Sequence, residues 1–178
     1  MIRRINKLKL NIISLIIVII ALCFNYYKID FSFNNNTNYE INNNLDIEIC
    51  ELIDVVDGDT IKALYKNKVE KRRFLNVDTP ECKHPDISKN TEKGKIAYLY
   101  TKELLKDKKI LYLTKDKNDR DKYNRLLRLV WLEKPYNDSK EELLNKCINV
   151  KLIKDKMAKV VKYDDYKYYK IFKEIEND

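Results

Sequence analysis

The order in which two hydrophobic periods occur constrains this chain more than any other feature. From Leu45 onward, apolar residues first alternate or run in short blocks, as strands do, and only later repeat at helical spacing. Leu45, Ile47 and Ile49 alternate, and Leu52-Ile53 and Val55-Val56 carry the run to the turn pair Asp57-Gly58. This predicts one long strand, bent or bulged near Cys50. Residues 61–65 and 69–77 flank the polar Lys66-Asn67-Lys68 and predict a hairpin. The first helical period is Ile96, Ala97, Tyr100 and Leu104, with Thr91 or Asn90 as N-cap. Residues 110–114 and 126–132 supply two further strands. Ser139-Lys140-Glu141-Glu142 has capping-box spacing and opens a short helix through Cys147. Residues 150–160 carry the period of another helix, and Tyr166, Tyr169, Phe172 and Ile175 mark a last amphipathic one. Five strands with helices inserted late predict an α+β fold, a small closed β-barrel of the oligonucleotide-binding (OB-fold) type with about three packed helices.

Charge divides the chain into three. Residues 1–27 hold Arg3, Arg4, Lys7 and Lys9 and no acid, and an apolar run from Ile12 to Phe24 is interrupted only by Ser14. That is the pattern of an export signal, although the run is shorter than the roughly 20 residues that span a bilayer. Leu10, Tyr26 and Tyr27 extend it toward a marginal anchor, and Ala21-Leu22-Cys23 offers a loose cleavage match. Leu22 before Cys23 argues against lipid attachment. Both readings place the domain outside the cytoplasm, secreted or held at the membrane by this segment alone. Residues 28–44 are rich in asparagine and read as a linker, so residues 45–178 form the folded domain. Residues 51–178 carry a net charge of +7, which favours polyanionic partners but does not identify one. Cys50, Cys82 and Cys147 make neither a disulfide framework nor a zinc site.

The chemistry is concentrated in three short stretches: Asp57-Gly58-Asp59-Thr60; Arg73 with Asp78-Thr79-Pro80-Glu81; and Asp121-Lys122-Tyr123-Asn124-Arg125. Hard carboxylate ligands beside two arginines are the groups needed to hold a divalent cation against a phosphodiester and to stabilise the charge that develops during cleavage. The combination points to a nuclease. Alternation along a strand sends Arg72 and Arg73 to opposite faces, so only one meets the site. Spacing to Asp78 favours Arg73, leaving Arg72 as a solvated or phosphate-steering charge, and Arg120 and Arg128 receive the same surface reading. Asp57 is expected to stabilise its turn or stand behind the ligands.

The stretches VVDGDTIKALYK, RRFLNVDTPECKHP, KIAYLYTKELL, DRDKYNRLLRLVWL and NVKLIKDKMAKV occur in one order, and over about residues 45–165 the chain resembles the staphylococcal nuclease (thermonuclease) family. The resemblance implies a five-stranded barrel with helices beside it. It also implies Ca2+ held by Asp59, Asp78 and the carbonyl of Thr79, a scissile phosphate bound by Arg73 and Arg125, and a water oriented or deprotonated by Glu81. Lys122 and Tyr123 match positions that touch the terminal phosphate and sugar, and Leu127 one that lines the base pocket. The implied reaction is hydrolysis at the 5′-oxygen of DNA or RNA, leaving 3′-phosphate ends with little sequence preference, by a monomer. After residue 160 the pattern departs: Lys162 and Asp164 stand where the family has nucleotide-flanking tyrosines, with Tyr163 and Tyr166 beside them. The segment 133–147 is longer than in the simplest members and the final helix shorter. His84, the sole histidine, is expected to be a loop residue. Two alternatives remain at this level: a surface-tethered module of the same fold that binds nucleic acid without cutting it, and an exported structural protein whose basic face holds anionic polymer.

Overall fold

The computed structural model describes residues 45–162 and 167–178. The export or anchor segment, the asparagine-rich linker, Tyr163, Asp164 and Tyr166 lie outside the described residues. β1 (Ile47–Asp57), β2 (Thr60–Tyr65), β3 (Lys68–Phe74), β5 (Ile110–Thr114) and β6 (Leu126–Trp131) close a barrel in the order β1-β2-β3-β6-β5. β4 (Val77–Asp78) and β7 (Lys159–Val160) form a separate two-stranded antiparallel ladder. Among the described residues four α-helices pack beside the barrel: α1 (Glu92–Leu105), α2 (Lys140–Lys146), α3 (Ile148–Lys154) and α4 (Tyr169–Asn177). The α+β barrel is the one the sequence predicts, with one helix more than the expected three.

β1 closes the barrel by serving two neighbours. Its first half, from Ile47 to Glu51, pairs with β5, and its second half, from Glu51 to Asp57, pairs with β2. A strand can turn from one partner to the other only by bending, and bulges at Leu52/Asp54 and Val55/Asp57 supply the bend, a few residues beyond the expected Cys50. The β2–β3 connection is the two-residue turn Lys66-Asn67, with φ of 47° and 62°, as a tight hairpin requires. Lys68 already belongs to β3. The strand predicted through residue 77 stops at Phe74 because Asn76 is left-handed (φ 57°); its buried side chain donates to the Val161 carbonyl at 3.0 Å, tying the β4 and β7 regions together. The helix predicted over residues 150–160 likewise ends at Lys154. Lys156 turns left-handed (φ 59°), and the N–H groups of Met157 and Ala158 both donate to the Leu152 carbonyl before β7 begins.

The capping residues come from the sequence as read. Thr91 accepts from the Gly94 N–H at 3.0 Å, and Ser139 from that of Glu142 at 3.3 Å. The capping box is only half made, since Glu142 reaches the Tyr136 N–H instead of returning to Ser139. Phe74, Leu111, Leu113, Leu129 and Trp131 fill the interior, and the Trp131 indole donates to Thr114 Oγ1 at 3.0 Å. Buried Asn149 joins the barrel to α3 by accepting from the Val130 N–H and donating to the Leu75 and Arg128 carbonyls. Cys50, Cys82 and Cys147 are free thiols; burial pushes Cys50 up to about 11 and Cys147 to about 12, which leaves both unreactive.

Two charges lie inside, not on the surface as expected. Arg72 does face away from Arg73, but its face is the barrel interior: it is 1% exposed and donates to the carbonyls of Ala63 (3.1 Å) and Glu70 (2.8 Å). Arg128, 2% exposed, forks onto both oxygens of Glu48 (3.1 and 2.7 Å) and reaches Asp119 at 2.7 Å. Hydrogen-bonded carbonyls and paired carboxylates offset the desolvation that would otherwise keep a guanidinium out. Arg120 stays nearer the surface expectation, half-buried against Glu70 at 2.8 Å.

Candidate active-site cleft

The β1–β2 turn delivers the first carboxylate. Asp57 Oδ1 accepts from the Gly58 N–H at 2.8 Å and closes the turn, as expected for that residue, which also places Asp59 immediately before β2. Gly58 is held close. A Cβ there would lie 2.7 Å from Thr79 Oγ1, and its carbonyl accepts from Thr101 Oγ1 of α1 at 2.6 Å. Asp59, almost wholly buried, accepts at Oδ2 from both the N–H (2.8 Å) and the hydroxyl (2.9 Å) of Thr79, and at Oδ1 from Thr60 (3.1 Å). Thr79 thereby orients the Asp59 carboxylate.

Antiparallel pairing of β2 with β3 sets Arg73 opposite Thr60, and so beside Asp59. Its guanidinium forms an ion pair with Asp59 and another with Asp78 Oδ1 at 2.5 Å, and donates to the Val77 carbonyl at 3.2 Å. Arg73 is 5% exposed, whereas the Asp78 side chain is 51% exposed and opens into the cleft. Two carboxylates from different elements thus converge on one cationic group, while the Arg73 Nε–H is buried without a partner. Asp59 and Asp78 are hard oxygen donors of the kind Ca2+ takes, in a shell of about 6 to 8 oxygens completed by water, and both are engaged here by the Arg73 guanidinium. Among the described residues there is no cluster of three or more His, Cys, Asp or Glu placed to hold a metal ion.

Glu81 is positioned by a close approach of helix and loop. Its carbonyl accepts from the Thr91 N–H at 2.9 Å, and a Cβ on Gly94 would fall 2.0 Å from that same oxygen, so only glycine lets the start of α1 lie against Pro80-Glu81. Partial burial, and then the neighbouring Asp57 carboxylate, raise the Glu81 carboxyl above the usual range, with Arg73 opposing.

Arg125 comes from the far side, on the loop before β6. Asp121 Oδ1 accepts from the N–H groups of Tyr123 and Arg125, both at 2.9 Å, and its Oδ2 accepts from Arg125 Nε at 2.7 Å. Burial works against ionisation of Asp121, but the Arg125 hydrogen bonds prevail and hold its carboxyl low. Left-handed Asn124 (φ 62°) makes this turn possible. Lys122 and Tyr123 stand at the lip, Tyr123 68% exposed with the Lys122 ammonium 5.0 Å and the Arg125 guanidinium 5.4 Å from its ring centre; Leu127, buried, lies on the floor. Asp59, Arg73, Asp78, Glu81, Lys122, Tyr123, Arg125 and Leu127 all line one cleft of about 770 Å³, and Thr79 stands behind it. His84 lines the outer rim, with its N–H and carbonyl bonded to the Asn90 side chain. The sequence alone assigns no role to Asp121 or Gly94. Aspartate four residues before an arginine is a legible signal for the first, but the close approach at Gly94 is not.

Fold and cleft together define an OB-fold barrel with an acid-and-arginine site at its mouth. The chain belongs to the staphylococcal nuclease homologue family, whose model matches residues 71–178. It is 30% identical to a thermonuclease of Staphylococcus intermedius, over 93% of this chain and 88% of that protein. Two Bacillus subtilis (strain 168) proteins are also similar: the SPbeta prophage-derived endonuclease YokF, 38% identical over 72% of this chain, and endonuclease YncB, 39% identical over 59%. The chain spans less than half of these two relatives, 42% and 44% of their lengths.

Proposed function

We propose that this protein is a Ca2+-dependent, extracytoplasmic endonuclease that hydrolyses phosphodiester bonds of DNA or RNA with little sequence preference, leaving 3′-phosphate ends. The observation that carries this reading is the convergence of Asp59, Asp78, Glu81, Arg73 and Arg125 on one cleft. Family membership and the names of the relatives, endonuclease and thermonuclease, support it.

Asp59, Asp78 and the Thr79 carbonyl would hold the cation, which when bound supplies Lewis-acid charge beside the phosphoryl oxygen. Arg73 and Arg125 both line the cleft, and guanidinium groups exchanged from their carboxylate partners onto a phosphate suit the extra negative charge of a five-coordinate phosphorus. Glu81, in the same cleft, orients the attacking water and as a carboxylate can take its proton. Tyr123 offers an exposed ring to sugar or base, and Lys122 a charge to a terminal phosphate. Export rests on the basic and apolar residues 1–27, ahead of the linker 28–44 and the domain 45–178.

The test is cleavage of single-stranded DNA, duplex DNA and RNA by the purified chain, with Ca2+ and with chelator. Cutting is expected only with Ca2+, and Asp59→Asn and Asp78→Asn should each weaken Ca2+ binding and abolish cleavage, since a carboxamide keeps the volume and loses the charge. Cleavage that persists in chelator overturns the metal assignment. Binding of nucleic acid without any cleavage would instead identify a binding module.

A further inference from the structure

The outward face of the β2–β3 hairpin continues from the cleft. On β3, Arg73, Lys71 and Val69 point to one side, and on β2 their register partners are Thr60, Lys62 and Leu64. Lys62 and Lys71 are therefore directly opposite each other, both exposed, and among the described residues neither side chain forms a hydrogen bond or ion pair. Like charges facing across a strand pair destabilise it. Lys71 also lines the same cleft as Arg73. Asp54 of β1 lies opposite Lys62 on its other side and offsets part of that charge, which leaves Lys71, next to Arg73 on the same face, as the lysine of the pair that opens on the cleft.

The spacing has chemical meaning. Residues two apart on a strand repeat at about 7 Å, comparable to the distance between successive phosphates in an extended nucleic-acid strand. A phosphodiester at Arg73 would place the neighbouring phosphate of the same strand over Lys71. We propose that Lys71, backed by Lys62, forms a second phosphate subsite that holds the nucleotide next to the cleaved bond, so that the protein binds a polynucleotide strand along the hairpin face and not only at the scissile group. This rests on the nuclease reading above. A bound phosphate relieves the Lys62–Lys71 repulsion, so substrate binding and hairpin stability reinforce one another.

The experiment compares the full chain with its Lys62→Gln/Lys71→Gln double variant on a dinucleotide, which has a single phosphodiester, and on a longer single-stranded oligonucleotide over a range of salt. For the oligonucleotide, KM should rise about tenfold at low salt and the salt dependence become shallower by about 0.7 in log–log slope for each phosphate no longer neutralised, with kcat held. The dinucleotide does not reach the subsite and should be cut with unchanged KM. Lys134→Gln/Lys170→Gln removes the same charge from exposed positions outside the cleft lining and separates a local effect from bulk attraction. Unchanged oligonucleotide KM and slope in the double variant overturn the proposal, as does an equal change in the control pair. If the unmodified chain cuts neither substrate, the nuclease reading fails. Fluorescence anisotropy of a labelled oligonucleotide then makes the same comparison by Kd: a weakening confined to Lys62→Gln/Lys71→Gln upholds the subsite, and unchanged Kd rejects it.

Discussion

The guanidinium groups of Arg128 and Arg73 each stand between two carboxylates, and they serve different ends. Arg128 is saturated: Nε and Nη2 fork onto Glu48, Nη2 also reaches Asp119, and Nη1 donates to the carbonyls of Leu127 (2.8 Å) and Asp119 (3.3 Å). Arg73 pairs with Asp59 and Asp78 but keeps a buried Nε–H without a partner, and one of its carboxylates is half-exposed at a cleft. A guanidinium whose donors are all used can only hold the structure together. One with a spare donor and an accessible counter-ion can exchange partners when a phosphate and a cation arrive.

Four sets of substitutions test that contrast. Arg128→Ala should have the largest effect on stability, a loss of about 3–5 kcal/mol, because it leaves Glu48 largely buried without its partner. Urea denaturation measures it, and the folded fraction should still turn over normally; a variant as stable as the parent would deny the clamp role. Arg73→Lys and Arg125→Lys should do the reverse, lowering kcat by about 10²- to 10³-fold while circular dichroism and melting change little, since lysine keeps the charge but not the fork. Near-normal turnover in both would remove the arginines from the chemistry. Arg72→Met should cost about 1–3 kcal/mol, as it retains the apolar stem but leaves the Ala63 and Glu70 carbonyls short of a donor, with kcat unaffected. A kcat effect as large as that of Arg73→Lys would mean that the wrong face of β3 has been assigned to the cleft. Glu70→Gln, which breaks the half-exposed pair with Arg120, should shift stability by less than about 1 kcal/mol, and less still in high salt.

The sequence was most legible where partners are close along the chain. Asp59, Arg73, Asp78 and Glu81 fall within one hairpin and the loop after it, so their grouping follows from a turn and one register. Strand alternation correctly sent Arg72 and Arg73 to opposite faces, yet it could not say that Arg72 points into the barrel. That depends on the carbonyls of Ala63 on β2 and Glu70 on β3 itself accepting its guanidinium. Arg128 was misread for a stronger reason, since Glu48 lies 80 residues away and meets it only through tertiary structure. The early ends of β3 and of α3 have a common origin in the single left-handed residues Asn76 and Lys156, which hydrophobic periodicity does not register. The half-made capping box at Glu142 was hidden because its alternative partner, the Tyr136 N–H, belongs to a loop with no period at all.

The parallel pairing of β3 with β6 has a consequence for how the molecule comes into being. Arg73 is in register with Leu127, so Arg125 reaches the cleft only through a contact between chain segments more than fifty residues apart, the kind of loop closure that is slow and late in folding. The acids and Arg73, by contrast, can meet as soon as the β2–β3 hairpin and the following loop form. A nascent or partly folded chain would therefore pass through a stage with the acids and Arg73 together and its second arginine still absent. If the proposed Ca2+ site is real, recovery of turnover during refolding should lag behind recovery of Ca2+ affinity, with cleavage arriving only as the barrel zips shut.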